Sequence, residues 1–176
     1  MAIELTDKVV INSITKFQDE IGINAKPVKS DNFHFTLQFL GEVSEKITRE
    51  IIQILHTVKF SSFDVSLKGV GTFPKNKPPR VIWIGTDKNG GDILIQLSKK
   101  IGKVLESLGF FSDKSFKPHI TVFRIKKKIE GMSNDLENLM DRDFGMQKIC
   151  SIKLKKSELT SNGPIYSDLA EIKAQK

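Results

Sequence analysis

Asn32-Phe33-His34-Phe35-Thr36-Leu37-Gln38-Phe39-Leu40-Gly41 sets a histidine and a threonine two residues apart in a largely apolar run, and Pro118-His119-Ile120-Thr121-Val122 repeats the arrangement in the second half of the chain. Both runs are rich in aromatic and β-branched residues, which reads as strand. On a strand, residues i and i+2 share a face. His34 and Thr36 therefore point one way, and so do His119 and Thr121. Phe35, Leu37, Ile120 and Val122 point the other way, into a core. Each run also follows the same prelude: a helical pattern, a linker containing proline, then the strand. The fold is expected to be built around these two strands.

Working outward, residues 1–5 read as a short strand. Thr6 is expected to cap a helix in which Val10, Ile14, Phe17 and Ile21 recur at helical spacing, and Gly22 to end it. Residues 26–29 read as a short strand around Pro27, and 33–40 as the strand of the first run. Ser44 caps a second helix with Ile47, Ile51, Ile54, Leu55 and Val58 on its apolar side. Phe63–Phe73 reads as a strand with a bend or bulge at Gly69 and Gly71. A loop over 74–79 leads to a strand over 80–86. Asn89-Gly90-Gly91 reads as a break before a third helix over 92–108, ended by Gly109. The second run lies in a strand over 117–125. Then come the basic run Lys126-Lys127-Lys128, a short helix over 133–141, and strands over 146–157 and 165–172 joined at Asn162-Gly163-Pro164. Several strands follow one another directly. That predicts an α+β fold with mostly antiparallel sheet, not a doubly wound one.

The chain has 176 residues, which fits one domain. Its net charge of +7 would attract polyanions, and would equally suit a lysine-rich, solvated surface. Its one cysteine, Cys150, permits no internal disulfide, and no Cys/His spacing suits zinc. A reducing compartment is the simplest context. There is no signal-like start, and no apolar run approaches the ~18 residues that span a bilayer. A soluble, cytoplasmic protein is expected, with no membrane partner.

Two of the three histidines occupy the repeated pattern. One histidine beside a threonine on a strand is ordinarily a packed or edge residue. Two copies of the pattern are hard to assign to packing. The third, His56, lies in the second helix without the motif and reads as scaffold. Two imidazoles and two hydroxyls in one cleft suit displacement at a phosphodiester. One imidazole takes a proton from water and the other gives one to the leaving oxygen, since imidazole titrates near neutrality. The hydroxyls can donate to the non-bridging phosphate oxygens.

With these residues the sequence resembles the two-histidine phosphoesterase superfamily, and within it the RNA 2′,3′-cyclic phosphodiesterases once called 2′-5′ RNA ligases. The likeness runs through Asn32 to Glu42, through Gly69-Val70-Gly71-Thr72-Phe73-Pro74 with Pro79-Arg80-Val81-Ile82-Trp83, and through Pro118 to Val122 with Arg124. It continues in Leu154-Lys155-Lys156-Ser157 and Gly163-Pro164-Ile165-Tyr166. It implies one bilobal, pseudo-twofold domain over residues 1–176, with two mostly antiparallel sheets flanking a central cleft and helices outside. It implies hydrolysis of RNA 2′,3′-cyclic phosphate ends to 2′-phosphomonoesters without a metal. Nothing in the sequence suggests a cofactor or an obligate protein partner, so a monomer is expected. His34 would be the proton donor to the leaving 3′-oxygen and His119 the proton acceptor. Spacing alone leaves these two roles interchangeable.

Thr36, Thr121 and Arg124 would hold phosphate. Phe73 would stack on a base or close the core. Arg80 would meet phosphate or flank the strand end in solvent, and Trp83 reads as core. Lys155 and Lys156 would extend a basic groove or stand as solvated charges. In this family the residue before Arg124 is usually small, whereas here it is Phe123. On a regular strand Phe123 would share the face of His119, and only a bulge would return Arg124 to it. The rival readings are 2′-5′ RNA ligation or cleavage by the same histidines, and an RNA-end-binding module without turnover. The intact His34, Thr36, His119 and Thr121 speak against the last.

Overall fold

A computed structural model describes residues 1–74, 77–112, 115–126, 139, 141–161 and 163–175. The expected helix over 133–141 falls outside these residues except at Leu139 and Asp141, as do Lys127, Lys128 and Asn162. The elements run β1 (Ala2–Glu4), α1 (Lys8–Glu20), β2 (Lys26–Pro27), a 3-10 turn (Ser30–Asn32), β3 (His34–Thr36), α2 (Glu45–Leu55), β4 (Phe63–Phe73) and β5 (Val81–Thr86). They continue with α3 (Lys88–Glu106), β6 (Ile120–Arg124), β7 (Asp143–Ile149), β8 (Ser151–Thr160) and β9 (Gly163–Lys173). The α+β class and the antiparallel pairing are as expected.

Local chemistry sets the helix starts. Asp7, not Thr6, caps α1, its Oδ1 accepting from the amides of Val9 and Val10 at 2.8 and 3.0 Å. Ser44 caps α2 as expected. The third helix begins at Lys88, earlier than the glycines suggested, because Asp87 caps it by accepting from the Gly90 amide at 3.0 Å. Gly90 and Gly91 are helical for a steric reason. A Cβ on Gly90 would lie 2.9 Å from Val65 Cα, and one on Gly91 would lie 2.7 Å from Thr86 Oγ1. Here glycine serves close packing of the helix on β4 and β5.

The described strands form one ladder in the order β7-β4-β5-β6-β3-β1-β8-β9, with β2 on β6. The order is palindromic about the β6–β3 junction. β5 stands to β6 as β1 stands to β3, and β4 to β5 as β8 to β1. Two four-stranded halves therefore meet at the motif strands, joined there by the pair Phe35 and Ile120.

The segment read as one strand over 146–157 is extended but serves both halves. β7 pairs with β4, and after Cys150 the chain continues as β8 beside β1. Buried Gln147 ties the halves there. Its Oε1 accepts from the amides of Thr6 and Asp7, and its Nε2 donates to the Glu4 carbonyl.

The core lies on one face of this sheet, where Ile3, Phe35, Ile82, Ile84, Ile120 and Val122 meet the apolar stripes of the helices. Phe17 of α1 packs edge-on against Phe123 and Phe144, with centroids 6.3 and 5.3 Å away. The helices cover this face, and the opposite face carries the two histidines.

Candidate active site

His34 and Thr36 are half-buried on either side of fully buried Phe35, and His119 and Thr121 flank fully buried Ile120 in the same way. Since Phe35 pairs with Ile120, the antiparallel register brings His34 opposite Thr121 and Thr36 opposite His119. The four side chains thus occupy one face of two neighbouring strands.

The two histidines are held alike. His34 Nδ1 lies 2.8 Å from the carbonyl oxygen of Asn32, and His119 Nδ1 lies 2.7 Å from that of Lys117, in each case two residues back. A carbonyl only accepts, so each Nδ1 carries a proton and donates it. Nε2 is then the nitrogen that each ring leaves available. Neither the sequence pattern nor the register alone fixes this tautomer.

A bulge follows each motif. On β6, Thr121 pairs with Trp83 and Phe123 with Ile82, so Val122 is an extra residue. Val122 and Phe123 are both buried on the helix side, and exposed Arg124 returns to the face of His119. This is the bulge that Phe123 required. On β3 the amides of Leu37 and Gln38 both point at the Met1 carbonyl, at 2.9 and 3.5 Å, and both side chains are buried. The residue corresponding to Arg124 is then Phe39, which is 86% exposed.

The surroundings of the two rings differ. His119 meets Phe73 edge-on at 5.2 Å and Trp83 at 6.3 Å. Phe73 and Trp83 stack on each other at 5.1 Å. Trp83 is therefore not simply core: it is half-buried against His119, and its Nε1 is enclosed without a hydrogen-bond partner. His34 instead meets Tyr166 edge-on at 5.3 Å. Burial pushes the His34 imidazole below the ordinary histidine value. The Asn32 hydrogen bond opposes this, and the charge of Lys155 adds to it.

The LigT-like phosphoesterase family matches this chain twice, over residues 5–83 and 84–166. The chain belongs to the LigT-like phosphoesterase family. A protein of Aeropyrum pernix named RNA 2′,3′-cyclic phosphodiesterase is 37% identical over 94% of this chain and 97% of its own length. One of Archaeoglobus fulgidus with the same name is 41% identical over 82% of this chain and 81% of its own. Among solved structures, a Thermus thermophilus protein superposes with a TM-score of 0.81 at 26% identity, covering 98% of this chain and 95% of that one.

Each of the two matches to the LigT-like family contains one motif strand, β3 in the first and β6 in the second. In this phosphoesterase, Arg80 is exposed at the start of β5, and its Nη1 donates to the Lys126 carbonyl at 3.1 Å, at the end of β6. His56 is exposed at the end of α2, in keeping with a scaffold role. Lys156 pairs with Glu158 at 2.8 Å on the surface. Lys155 is not a solvated charge, for Glu4 and Asp168 both bind it.

Sequence reasoning missed Tyr166, Glu4 and Phe39 as neighbours of the site. Tyr166 reaches His34 only through the order of β9, β8, β1 and β3, so no local pattern marks it. Phe39 could have been found from the repeat, as the counterpart of Arg124. Among the described residues no group of three His, Cys, Asp or Glu side chains is placed to hold a metal.

Proposed function

We propose that this phosphoesterase, acting as one domain, hydrolyses RNA 2′,3′-cyclic phosphate ends to 2′-phosphomonoesters by paired-histidine acid–base catalysis without a metal. One observation carries the reading. Two imidazoles on adjacent strands both give Nδ1–H to a carbonyl, so both free Nε2 atoms belong to the face that also bears two threonine hydroxyls. The names of the relatives in Aeropyrum pernix and Archaeoglobus fulgidus support the same substrate.

In this mechanism the Nε2 of a neutral histidine takes a proton from water as the water oxygen bonds to phosphorus. The P–O3′ bond breaks, and the Nε2–H of the other, protonated histidine gives its proton to the 3′-oxygen. A 3′-hydroxyl and a 2′-phosphomonoester result. Thr36 and Thr121 donate hydrogen bonds to the non-bridging oxygens, and Arg124 offsets their charge. Phe73 offers a face for the nucleobase.

The family resemblance makes His34 the acid and His119 the base. The reverse has an observation in its favour, since burial and Lys155 hold His34 toward the neutral form that a base requires. A substrate with sulfur in place of the 3′-oxygen separates the two, because a thiolate leaves without protonation. If His34 is the acid, His34→Ala keeps activity on that substrate, and if His119 is the acid, His119→Ala does.

The function itself is tested with an oligoribonucleotide bearing a 2′,3′-cyclic phosphate. The expected product carries a 2′-phosphomonoester. A cyclic end left intact by the folded protein would overturn the proposal.

A further inference from the structure

The palindromic sheet supplies an internal control, because each residue near His119 has a counterpart near His34. Trp83 pairs with Thr121 and Gly71, and Ala2 pairs with Thr36 and Lys153. Lys153 thus holds the place of Gly71, and two residues further along Lys155 holds the place of Phe73. At this matched position one half of the sheet carries an aromatic ring and the other a cation.

That cation is not loose. Glu4, the cross-strand partner of His34, and Asp168 of β9 each bind both lysines. Lys153 Nζ lies 2.6 Å from Glu4 Oε2 and 2.6 Å from Asp168 Oδ2, while Lys155 binds Glu4 Oε1 and Asp168 Oδ1. Every carboxylate oxygen is used, one lysine each. The Lys155 side chain is only 11% exposed, so solvent screens it little. Hydrogen bonds from both lysines hold Glu4 and Asp168 below the usual carboxylate range, although burial opposes this, and Lys153 is held well above the usual lysine value, chiefly by Asp168. Glu4 and Asp168 therefore keep their negative charge, and Lys153 its positive charge, over the whole neutral range.

A duplicated site with one tautomer and one threonine per half would leave its two imidazoles equivalent. Acid–base catalysis needs them unequal, one protonated and one neutral. We propose that the ring Glu4–Lys153–Asp168–Lys155 is a positioning unit that holds the Lys155 charge beside His34 and so makes the two halves of the site chemically unequal. This rests on the paired-histidine function proposed above.

Among the described residues, Glu4 on β1 lies across from His34, Lys153 and Lys155 of β8 bind that Glu4, Tyr166 and Asp168 stand on β9, His119 lies diagonally across on the neighbouring strand, and the Met1 amino group lies beside β3. Burial is the largest influence against the imidazolium; of the charges, Lys155 and the Met1 amine add to it and Glu4 opposes it. Opposite signs on two members of one ring give a test that a merely structural role would not satisfy.

The test is a proton NMR titration of the His34 and His119 imidazoles in the substrate-free protein. Lys155→Met should raise the His34 midpoint, Glu4→Gln should lower it, and Lys155→Arg should keep it at the wild-type position. His119 should stay in place in all three. The limb of the kcat/KM profile that follows His34 should move with it. A His34 midpoint unmoved in folded Glu4→Gln and Lys155→Met, or one shared equally by His119, would overturn the proposal. Should Lys155→Met fail to fold, Glu4→Gln and Lys155→Arg still decide it. The titration uses no substrate, so a failure to hydrolyse cyclic phosphate would remove the functional reading and leave this result separately readable.

Discussion

Phe35 and Ile120 are cross-strand partners at the junction of the two half-sheets, and both are sealed from solvent. Their burial on the helix side fixes which way His34, Thr36, His119 and Thr121 point. Truncation here should loosen the core and the site together. Phe35→Ala should lower the unfolding free energy by about 3–5 kcal/mol, the scale of a deleted core phenylalanine. Denaturant unfolding checks this, and a loss under ~1 kcal/mol would mean that the junction does not hold the sheet.

His34→Ala and His119→Ala should each lower turnover at least about 10²-fold, the usual contribution of a positioned acid or base. His56→Ala, exposed at the end of α2, should change turnover little. Steady-state kinetics on folded variants decides the matter. Near-normal turnover in either motif variant would remove that histidine from the mechanism.

The rate should pass through a maximum with pH, because one imidazole must be neutral and the other protonated. A chelator should leave hydrolysis intact, since the proposed proton transfers need only side chains. Stability should respond to pH as well. His34 is held below its ordinary value by burial, so the unfolded chain takes up its proton first. The contribution is present above about pH 6.5, the unfolded value, and is lost as the pH falls through the lower folded value. His34→Gln should flatten that part of the stability curve. Glu4 and Asp168, both held low, lose their contributions only further down, below about pH 4. An unchanged slope below about pH 6.5 in the variant would contradict the burial of His34.

Gly71 lies against Trp83, and a Cβ there would fall 2.3 Å from the indole ring. Gly71→Ala should displace Trp83 and with it the aromatic wall of His119. Trp83 is the only tryptophan, so its fluorescence reports the shift directly. The expected outcome is an altered emission maximum with a raised KM. Wild-type emission and kinetics would show that the wall yields without consequence.

Arg124 and Phe39 hold matching positions after the two bulges. Arg124→Ala should raise KM or lower turnover, and RNA binding should weaken with salt because phosphate contacts release counterions. Phe39→Ala should raise KM more for an oligonucleotide than for a cyclic mononucleotide, since an aromatic so exposed offers a stacking face. Equal effects on both substrates would place Phe39 outside the strand path.

Much of this was legible before any coordinates. The i, i+2 rule put His34 with Thr36 and His119 with Thr121, and the apolar residues between them assigned the buried face. The periodicity located all three described helices. Where the reading slipped, packing had overridden a local signal. Gly90-Gly91 looks like a break, yet α3 runs through it because only glycine lets the helix lie on Val65 and Thr86. The run over 146–157 reads as one strand, and nothing local to Cys150 says that its two ends serve different halves of the sheet.

The sequence by itself determined the chemistry available and the strand each piece rides on, because strand periodicity is a property of a few neighbouring residues. Only the tertiary structure decided what surrounds each histidine. Phe73 and Trp83 reach His119 across strand pairings, and Tyr166 and the Glu4–Lys155 ring reach His34 in the same way. Pairing between distant strands depends on sheet order and on single-residue bulges. A bulge such as the one at Val122 exchanges the faces of all that follows, so the place of Arg124 was fixed by the register and not by the motif that precedes it.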